Sequence, residues 1–190
     1  MNSNWAKLLL RLQKVKYGKK LLLKGVPLII NHGKSIEIGD YVTIKSSIFS
    51  NLAGLYSRSI VVARTRSAEI KIGNNVGMSG ATIYARRGIY IGDNTQIGAN
   101  CKILDNDFHP LDFNSRNILS RERNEAEIEI PSKEIYIGAN CFIGCNSIIL
   151  KGTKLGDGSV VGAGAVVAGE FPSNSVIVGN PARVIRTIDQ

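Results

Sequence analysis

The stretch IGANCFIGCNSIILKGTKLGDGSVVGAGAVV, residues 137–167, repeats with a period of six residues. A branched apolar residue returns at every sixth position, and the residue that follows it is usually glycine. The repeated apolar positions are Ile137, Ile143, Ile149, Leu155, Val161 and Val167. Shorter runs with the same spacing lie at residues 38–44, 72–78 and 91–103. Self-similarity at this fixed period is typical of a parallel β-helix.

The six-residue spacing has a simple physical explanation. Each repeat supplies one short strand, whose branched residue points inwards, and one tight turn that glycine, Asn or Asp can form. Three strands complete a coil, and successive coils stack about 4.8 Å apart. Because a single coil cannot bury its own apolar residues, the stack itself forms the core. The sequence therefore predicts an all-β fold, and the apolar positions in phase argue against an α/β or sandwich protein with coincidental glycines.

The positive charge of the chain is concentrated at its N-terminus. Of the 24 basic residues, seven lie within residues 1–24, where there is no acidic residue. The rest of the chain has 17 basic and 15 acidic residues, so most of the net charge of +9 belongs to a short arm. A basic arm on a nearly neutral body argues against a nucleic-acid-binding domain.

The N-terminal segment NWAKLLLRLQKVKYG is predicted to form a helix. Its apolar residues Trp5, Leu8, Leu9 and Leu12 share one side, and basic residues lie on the other. We expect this helix to cap the open end of the stack. A compatible second hypothesis is peripheral contact with the inner face of an anionic membrane. Because Arg11 interrupts the apolar run before it, the segment is predicted to be neither a signal peptide nor a membrane span.

The three cysteines are not spaced for metal binding, and three cannot pair completely within one chain. Cys101 and Cys141 lie four residues after a repeated apolar position, where small residues such as Ser147 also fall. We interpret both as packed structural residues. This use of cysteine favours a reduced, cytoplasmic location and no bound metal.

The repeat divides the chain into three parts. Residues 1–24 are predicted to form the basic N-terminal helix, residues 25–171 the β-helix, and residues 172–190 a C-terminal tail that contains GNPARVIR. The β-helix is interrupted at residues 105–133, where the spacing is lost and then resumes out of phase. A long polar loop inside a compact repeat is usually functional.

This insertion begins with DNDFHP, which contains one of the two histidines of the chain. His109 follows the last repeated position of a coil, with Asp105 and Asp107 close by. An imidazole can take a proton near neutral pH, and a neighbouring carboxylate can orient its ring. We therefore predict that His109 is a catalytic base. The second histidine, His32, lies in a plain turn and is assigned no role.

Three features together resemble the hexapeptide-repeat acyltransferases: the repeat at residues 137–167, the DNDFHP segment and the ending VGNPARVIR. The sequence is most similar to the galactoside and maltose acetyltransferase branch and to the O-acetyltransferases of bacterial capsule and O-antigen synthesis. The resemblance covers residues 35–187. It implies a left-handed β-helix, against the usual right-handed preference of parallel crossovers, and a homotrimer with active sites between subunits. It also implies acetyl-CoA as the donor and His109 as the general base.

The resemblance also implies roles on the donor side. The segment FIGC matches a family motif whose last residue, here Cys145, offers its backbone N–H to the tetrahedral oxyanion. Phe142 stands where relatives often have tryptophan, and Ala168-Gly169 replaces a common Thr-Lys, so one usual CoA contact is expected to be missing. The residues implied to contact acetyl-CoA are Phe142, Gly144, Gly162, Ala163, Ala168, Arg183 and Arg186, with the two arginines near the 3′-phosphate.

On the acceptor side, Ser79 falls where galactoside enzymes carry an asparagine that touches the sugar. This difference argues against a simple galactoside acceptor. Arg86 and Arg87 either meet an acidic sugar or a phosphate, or face water. The candidate acceptor contacts are Ser79, Arg86, Asp105 and Asp107.

The predicted function is acetyl-CoA-dependent O-acetylation of a sugar hydroxyl, in a bacterial surface polysaccharide (capsule or O-antigen) or its precursor, by direct transfer. An N-acetyltransferase of an amino sugar nucleotide uses the same donor and fold and remains the alternative. A covalent route through Cys145 is less favoured, because nothing in the sequence indicates an activated thiol. A γ-type carbonic anhydrase needs three histidine ligands for each zinc, and a non-enzymatic scaffold would not need His109.

Overall fold

A computed structural model describes residues 4–122 and 129–189 of the chain. Its strands form three sheets that run along the length of the molecule, and the chain visits the three sheets in turn. The fold is the predicted left-handed parallel β-helix, and the sequence-based expectation is confirmed. None of the helices in the described part of the chain has the length and hydrophobicity of a membrane span.

The elements are short and follow one another at the spacing of the repeat. The helices are α1 (Asn4–Leu12), α2 (Phe113–Glu122) and a 3₁₀ turn at Ile48–Ser50. The strands are β1 (Lys16–Tyr17), β2 (Leu22–Lys24), β3 (Leu28–Asn31), β4 (Ser35–Ile38), β5 (Thr43–Lys45), β6 (Ile60–Ala63), β7 (Glu69–Ile72), β8 (Gly77–Ser79), β9 (Thr82–Ala85), β10 (Gly88–Ile91), β11 (Gln96–Ala99), β12 (Lys102–Leu104), β13 (Ile135–Ile137), β14 (Phe142–Ile143), β15 (Ile148–Leu150), β16 (Lys154–Leu155), β17 (Val160–Val161), β18 (Val166–Val167), β19 (Glu170–Phe171), β20 (Ser175–Gly179) and β21 (Ala182–Thr187).

Every third strand belongs to the same sheet. Sheet 1 has the order β1-β4-β7-β10-β13-β16-β19, and sheet 2 has the order β2-β5-β8-β11-β14-β17-β20-β21. Sheet 3 contains β3, β6, β9, β12, β15 and β18. Among the strands named above, every pairing is parallel except that of β20 with β21, which form an antiparallel hairpin on sheet 2. The strands therefore extend beyond residues 25–171 at both ends, because β1 and β2 precede that range and the hairpin follows it.

The repeated apolar residues stack on one another from coil to coil. In sheet 1, Ile91 pairs with Ile72 on one side and with Ile137 on the other, and Ile137 pairs with Leu155. All four side chains are buried in one continuous core. Removing such side chains from water is the main term that holds the coils together. The six-residue spacing sets the register, because each inward residue must meet its counterpart in the next coil.

The turns between sheets 1 and 2 use asparagine in a left-handed conformation. Asn75, Asn94 and Asn140 have φ values of 56°, 59° and 57°. Their side chains form a ladder, since Asn75 Nδ2 donates to Asn94 Oδ1 at 3.0 Å and Asn94 Nδ2 donates to Asn140 Oδ1 at 3.1 Å. Asparagine tolerates this conformation better than other non-glycine residues, and its amide can link one turn to the next.

Helix α1 covers the N-terminal end of the core. Ala6 and Leu10 are buried there, and Gln13 accepts the backbone N–H of Asn31 at 3.0 Å through its side-chain oxygen. The helix ends at Leu12, so it is shorter than residues 1–24. The sequence predicted that the apolar residues of this helix share one side. These residues are exposed: Trp5, Leu8, Leu9 and Leu12.

Candidate active site

The predicted insertion leaves the stack after β12 and returns to it before β13. Its two ends are held together at the point of departure. Asp107 N–H donates to the carbonyl of Pro131 at 3.1 Å, Lys133 N–H donates to the carbonyl of Asp105 at 2.8 Å, and Asn106 forms an antiparallel bridge with Ser132. The turn that carries His109 is therefore tied to the rigid stack, although it belongs to a long loop.

Asp105 is the buried anchor of this turn. Its carboxylate accepts the backbone N–H groups of Arg86 and Arg87 at 2.7 Å and of Gly88 at 2.9 Å. The side-chain amide of Asn106 donates to the same carboxylate at 3.0 Å. Because Asp105 is fully buried and its oxygens are occupied, the prediction that it contacts the acceptor does not fit the structure. It organises the corner between sheets 3 and 1 instead.

His109 lies at the surface of the anchored turn. Its backbone N–H donates to the carbonyl of Asp107 at 2.7 Å, and its side chain is exposed. Phe108, the residue before it, has a φ of 62° and packs its ring against Tyr84 at a centroid distance of 4.8 Å. These contacts fix the backbone on which the imidazole stands and leave the ring open to a substrate.

Asp107 supports the same turn through an ion pair. Its two carboxylate oxygens lie 2.5 Å and 2.6 Å from Lys151 Nζ. Asp107 is therefore engaged with a lysine of the next coil, and its predicted acceptor role stays a prediction. Sequence reasoning missed Lys151. Nothing in the sequence around Lys151 indicates its role, because its ion pair with Asp107 forms only when β15 stacks on β12 across the insertion.

Cys145 lies at the opposite edge of sheet 3, in the turn that leads from sheet 2 to β15. Over residues 4–122 and 129–189, neither the backbone N–H of Cys145 nor that of Ala163 donates a hydrogen bond. Glycines keep both groups accessible. A Cβ atom on Gly98 would lie 2.6 Å from the nitrogen of Cys145, and one on Gly144 would lie 2.5 Å from that of Ala163. The structure thus leaves a donor where an oxyanion could bind.

The thiols differ from one another in their surroundings. Cys101 and Cys141 are buried, and burial raises the pKa of Cys101 to about 11 and raises that of Cys141. A thiol whose pKa is raised by burial is a poor nucleophile. Both cysteines are packed residues, as the repeat predicted, and only Cys145 is partly exposed.

The remaining donor-side candidates, with the exception of Ala168, lie on the outer side of sheet 2 or at its border with sheet 3. Phe142 is exposed on β14, Gly144 and Gly162 follow β14 and β17, and Ala163 and Ala168 are exposed turn residues. All of them except Ala168 form a strip along several coils that leads from Cys145 towards the C-terminal hairpin. Ala168 follows β18 and lies at the corner between sheets 3 and 1, on the same edge of sheet 3 as His109.

The C-terminal hairpin presents two arginines on one side of sheet 2. Arg183 pairs with Val178 and Arg186 pairs with Val176, and residues opposite each other in an antiparallel pair point to the same face. Residues three apart in a regular strand would point to opposite faces. A register shift in the hairpin removes this difference, so both guanidinium groups lie on the outer side. Both arginines are exposed.

The acceptor-side candidates are divided between the two edges of sheet 3. Ser79 is buried at the end of β8, on the edge that Cys145 occupies, where it lines a cavity of about 280 Å³ together with Lys45 and Gln96. Arg86 is half-buried on the His109 side, where its backbone holds Asp105. A second cavity of about 570 Å³ is lined by Arg87, Lys133, Glu134, Tyr136 and Lys154. This cationic cavity flanks the base of the insertion.

Within a single chain, the predicted catalytic residues His109 and Cys145 are not close to each other. His109 follows β12, whereas Cys145 precedes β15, which stacks directly on β12. The two residues are therefore within one coil along the stack but at opposite edges of sheet 3. These edges are roughly 15 Å apart, since an extended chain advances about 3.3 Å per residue. In the described part of the chain, no group of three or more His, Cys, Asp or Glu side chains is placed to hold a metal ion.

Sequence comparison connects the chain with acetyltransferases. A sequence model described as the hexapeptide repeat of succinyl-transferase matches residues 88–103 and 134–168. A protein of Staphylococcus aureus (strain Mu50) named as an acetyltransferase is 33% identical over 167 residues, which cover 84% of this chain and 76% of that protein. A Schizosaccharomyces pombe protein, also named as an acetyltransferase, is 42% identical over 101 residues, 53% of this chain. The match spans less than half of that yeast protein, 44% of its length.

Solved structures share the fold over nearly the whole chain. A mutant of AntD, an N-acyltransferase from Bacillus cereus in complex with dTDP and coenzyme A, has a TM-score of 0.72 at 20% identity, and the match covers 96% of this chain and 89% of that one. Galactoside acetyltransferase in complex with coenzyme A has a TM-score of 0.56 at 24% identity and coverages of 92% and 65%. The polySia-specific acetyltransferase NeuO has a TM-score of 0.59 at 21% identity and coverages of 91% and 81%.

Proposed function

Because the chain belongs to the hexapeptide-repeat acetyltransferases, we propose that it transfers an acetyl group from acetyl-CoA to a saccharide hydroxyl. The observation that carries this proposal is the exposed imidazole of His109 on a turn anchored by Asp105 and Lys151. A base that is fixed in position but open to solvent is what proton removal from an acceptor requires. We further propose that the acceptor belongs to a bacterial surface polysaccharide, capsule or O-antigen, or to its precursor.

We propose that the active form is a homotrimer assembled through sheet 3. The outer side of sheet 3 carries two ladders of mostly apolar residues. One runs through Leu28, Ile60, Thr82, Lys102, Ile148 and Val166, and the other through Ile30, Val62, Tyr84, Leu104 and Leu150. The outer side of sheet 1 carries charged residues and tyrosines instead, for example Glu69, Lys71 and Tyr90. A contiguous apolar face of this kind supports the proposal that sheet 3 is an interface between subunits.

Threefold assembly explains why the catalytic groups lie at opposite edges of sheet 3. In a cyclic trimer, one edge of each subunit meets the other edge of its neighbour. His109 of one subunit then faces Cys145 of the next. The insertion also fits this arrangement, because Leu111, Phe113 and Ile118 expose apolar side chains beyond the stack. A neighbouring subunit would cover them.

The proposed reaction is direct transfer. His109 removes the proton from the acceptor hydroxyl, whose oxygen attacks the thioester carbonyl carbon. The resulting oxyanion accepts a hydrogen bond from the backbone N–H of Cys145. The carbon–sulfur bond then breaks, and the leaving thiolate takes the proton from His109 as free CoA. The strip of small residues at Gly144, Gly162 and Ala163 would hold the pantetheine arm, and the two hairpin arginines would bind the 3′-phosphate.

An amino group on a nucleotide-linked sugar is the second candidate acceptor. The structure of the N-acyltransferase AntD matches this fold at a TM-score of 0.72 and was solved with dTDP. The cationic cavity formed by Arg87, Lys133 and Lys154 beside the insertion would suit a phosphate or an acidic sugar. The same base and donor would serve either acceptor.

The proposed function is tested by measuring acceptor-dependent release of thiol from acetyl-CoA. The acceptors are hydroxyl sugars, amino sugars, amino sugar nucleotides and extracted glycan precursors, and the mass of each product is checked. Acetylation at oxygen supports the proposal, and acetylation at nitrogen supports the second candidate. Failure of the protein to bind acetyl-CoA would contradict both.

Replacing Cys145 with alanine is expected to leave the turnover number within about threefold of the wild-type value, since the proposed role uses only the backbone N–H. A covalent acyl-cysteine route would instead lose activity by about 10³-fold or more. Steady-state rates and intact-protein mass after incubation with acetyl-CoA distinguish the two. Cys101→Ala, at a buried thiol, is the matched control for thiol loss.

Replacing Leu150 with glutamate is expected to convert the trimer to monomers and to abolish activity, because the charge interrupts the apolar ladder of sheet 3. The fold should persist, since the side chain points away from the core. Light scattering gives the mass of the species, and circular dichroism reports its fold. Tyr136→Glu, on the outer side of sheet 1, is the matched control and should remain trimeric.

A further inference from the structure

Helix α1 has three different faces. Ala6 and Leu10 are buried against the core, with about 1% of their surface exposed. Trp5, Leu8, Leu9 and Leu12 form a second, outward stripe, and Lys7 and Arg11 lie between the two on the remaining side. A helix turns by about 100° per residue, so the buried face and the outward apolar stripe are centred roughly 120° apart. The outward stripe therefore takes no part in capping the core.

The apolar side chains of this stripe are highly exposed to solvent. Trp5 is 74% exposed and Leu12 is 68% exposed, while Leu8 and Leu9 are exposed by 45% and 44%. Leaving these side chains in water carries a free-energy cost. Their spacing follows one side of a helix, which is how interfacial helices present an apolar edge. Tryptophan is also enriched at the boundary between a bilayer and water.

The charged residues of the N-terminal segment itself are all basic. Residues 1–24 contain seven basic residues and no acidic residue. Arg11, Lys14 and Lys19 are exposed in and just after the helix. Lys16 pairs with Glu37 at 3.0 Å, so its charge is partly neutralised by a neighbouring carboxylate. Each basic side chain near an anionic leaflet adds to membrane affinity.

We propose that α1 attaches the protein peripherally to an anionic lipid bilayer, with Trp5, Leu8, Leu9 and Leu12 in the interface and the basic side chains against the lipid phosphates. The apolar stripe alone would also suit a second copy of the chain. The positive charge favours an anionic bilayer over a second copy of the chain, because the cations of two such segments would repel each other. In the trimer proposed above, cyclic symmetry places all three helices at the same end, where they can reach one membrane surface together.

Co-sedimentation of the full-length protein with vesicles tests this proposal. One set of vesicles contains phosphatidylcholine alone, and the other also contains phosphatidylserine. The test variant replaces Trp5, Leu8, Leu9 and Leu12 with serine, which leaves Ala6 and Leu10 in the core. The matched control replaces Phe49 and Leu52, which are 86% and 99% exposed on a different loop, with serine. Deleting residues 1–24 would be a poor test, because it also removes β1 and β2.

We expect the wild type and the control to bind the phosphatidylserine vesicles, and the test variant to bind at least about tenfold more weakly. Binding to phosphatidylcholine alone should be weaker, and added salt should reduce the difference. Absence of wild-type binding to either vesicle, or equal binding by the test variant, would overturn the proposal. A test variant whose oligomeric mass changes in light scattering would overturn it too, since the stripe would then be a subunit contact. None of these outcomes depends on acetyl transfer.

Discussion

Replacing His109 with alanine is expected to lower the turnover number for acetyl transfer by about 10²–10⁴-fold, the usual contribution of a positioned general base. The side chain is exposed, and the hydrogen bond that fixes the residue comes from its backbone N–H. The variant should therefore fold and assemble normally. It should also bind acetyl-CoA with little change, because the proposed donor contacts lie on sheet 2 and not on the insertion.

The chain provides a matched control for this experiment in its other histidine, His32, which is also exposed and has no proposed role. Release of CoA thiol is measured for wild type, His109→Ala and His32→Ala with the acceptor that the panel identifies. The proposed base is supported if only His109→Ala loses turnover. Equal rates in all three proteins would remove His109 from the mechanism and direct attention to Asp107 or Cys145.

Replacing Asp105 with alanine is expected to lower the free energy of unfolding by about 3 kcal/mol or more. The substitution leaves the backbone N–H groups of Arg86, Arg87 and Gly88 without their shared acceptor in the corner between sheets 3 and 1. A buried donor left unsatisfied costs about 1–3 kcal/mol. Activity should fall as well, because the same corner holds the turn that carries His109.

Urea unfolding followed by circular dichroism measures this loss. Asp107→Ala is the comparison, since its ion pair with Lys151 is partly exposed and removing it should cost about 1 kcal/mol or less. A loss below about 1 kcal/mol for Asp105→Ala would contradict the anchoring role. Asp105→Asn should also destabilise the protein, because its amide group cannot accept the N–H groups that one carboxylate oxygen accepts now.

Much of the fold follows from local sequence. The six-residue period sets the strand length, the inward positions and the turns, because each of these depends on residues close together in the chain. Ile137, for example, needs only its spacing from Ile143 and the glycine after it to be placed in a core. The insertion and His109 at its start can also be predicted from local sequence, since a polar break in a regular repeat is visible without a structure.

Only the tertiary structure showed the features that depend on how neighbouring coils stack and on which face of a helix or strand a residue occupies. Asp105 looked like an acceptor contact, yet the coil before it supplies three N–H groups that occupy it. Arg183 and Arg186 share a face only because of a register shift in the hairpin. The separation of His109 and Cys145 across sheet 3, and the face with which α1 packs, likewise arise from contacts between residues far apart in sequence. Spacing fixes which residues point inwards within one coil, whereas neighbouring coils, and the subunits we propose, determine which outward residues meet.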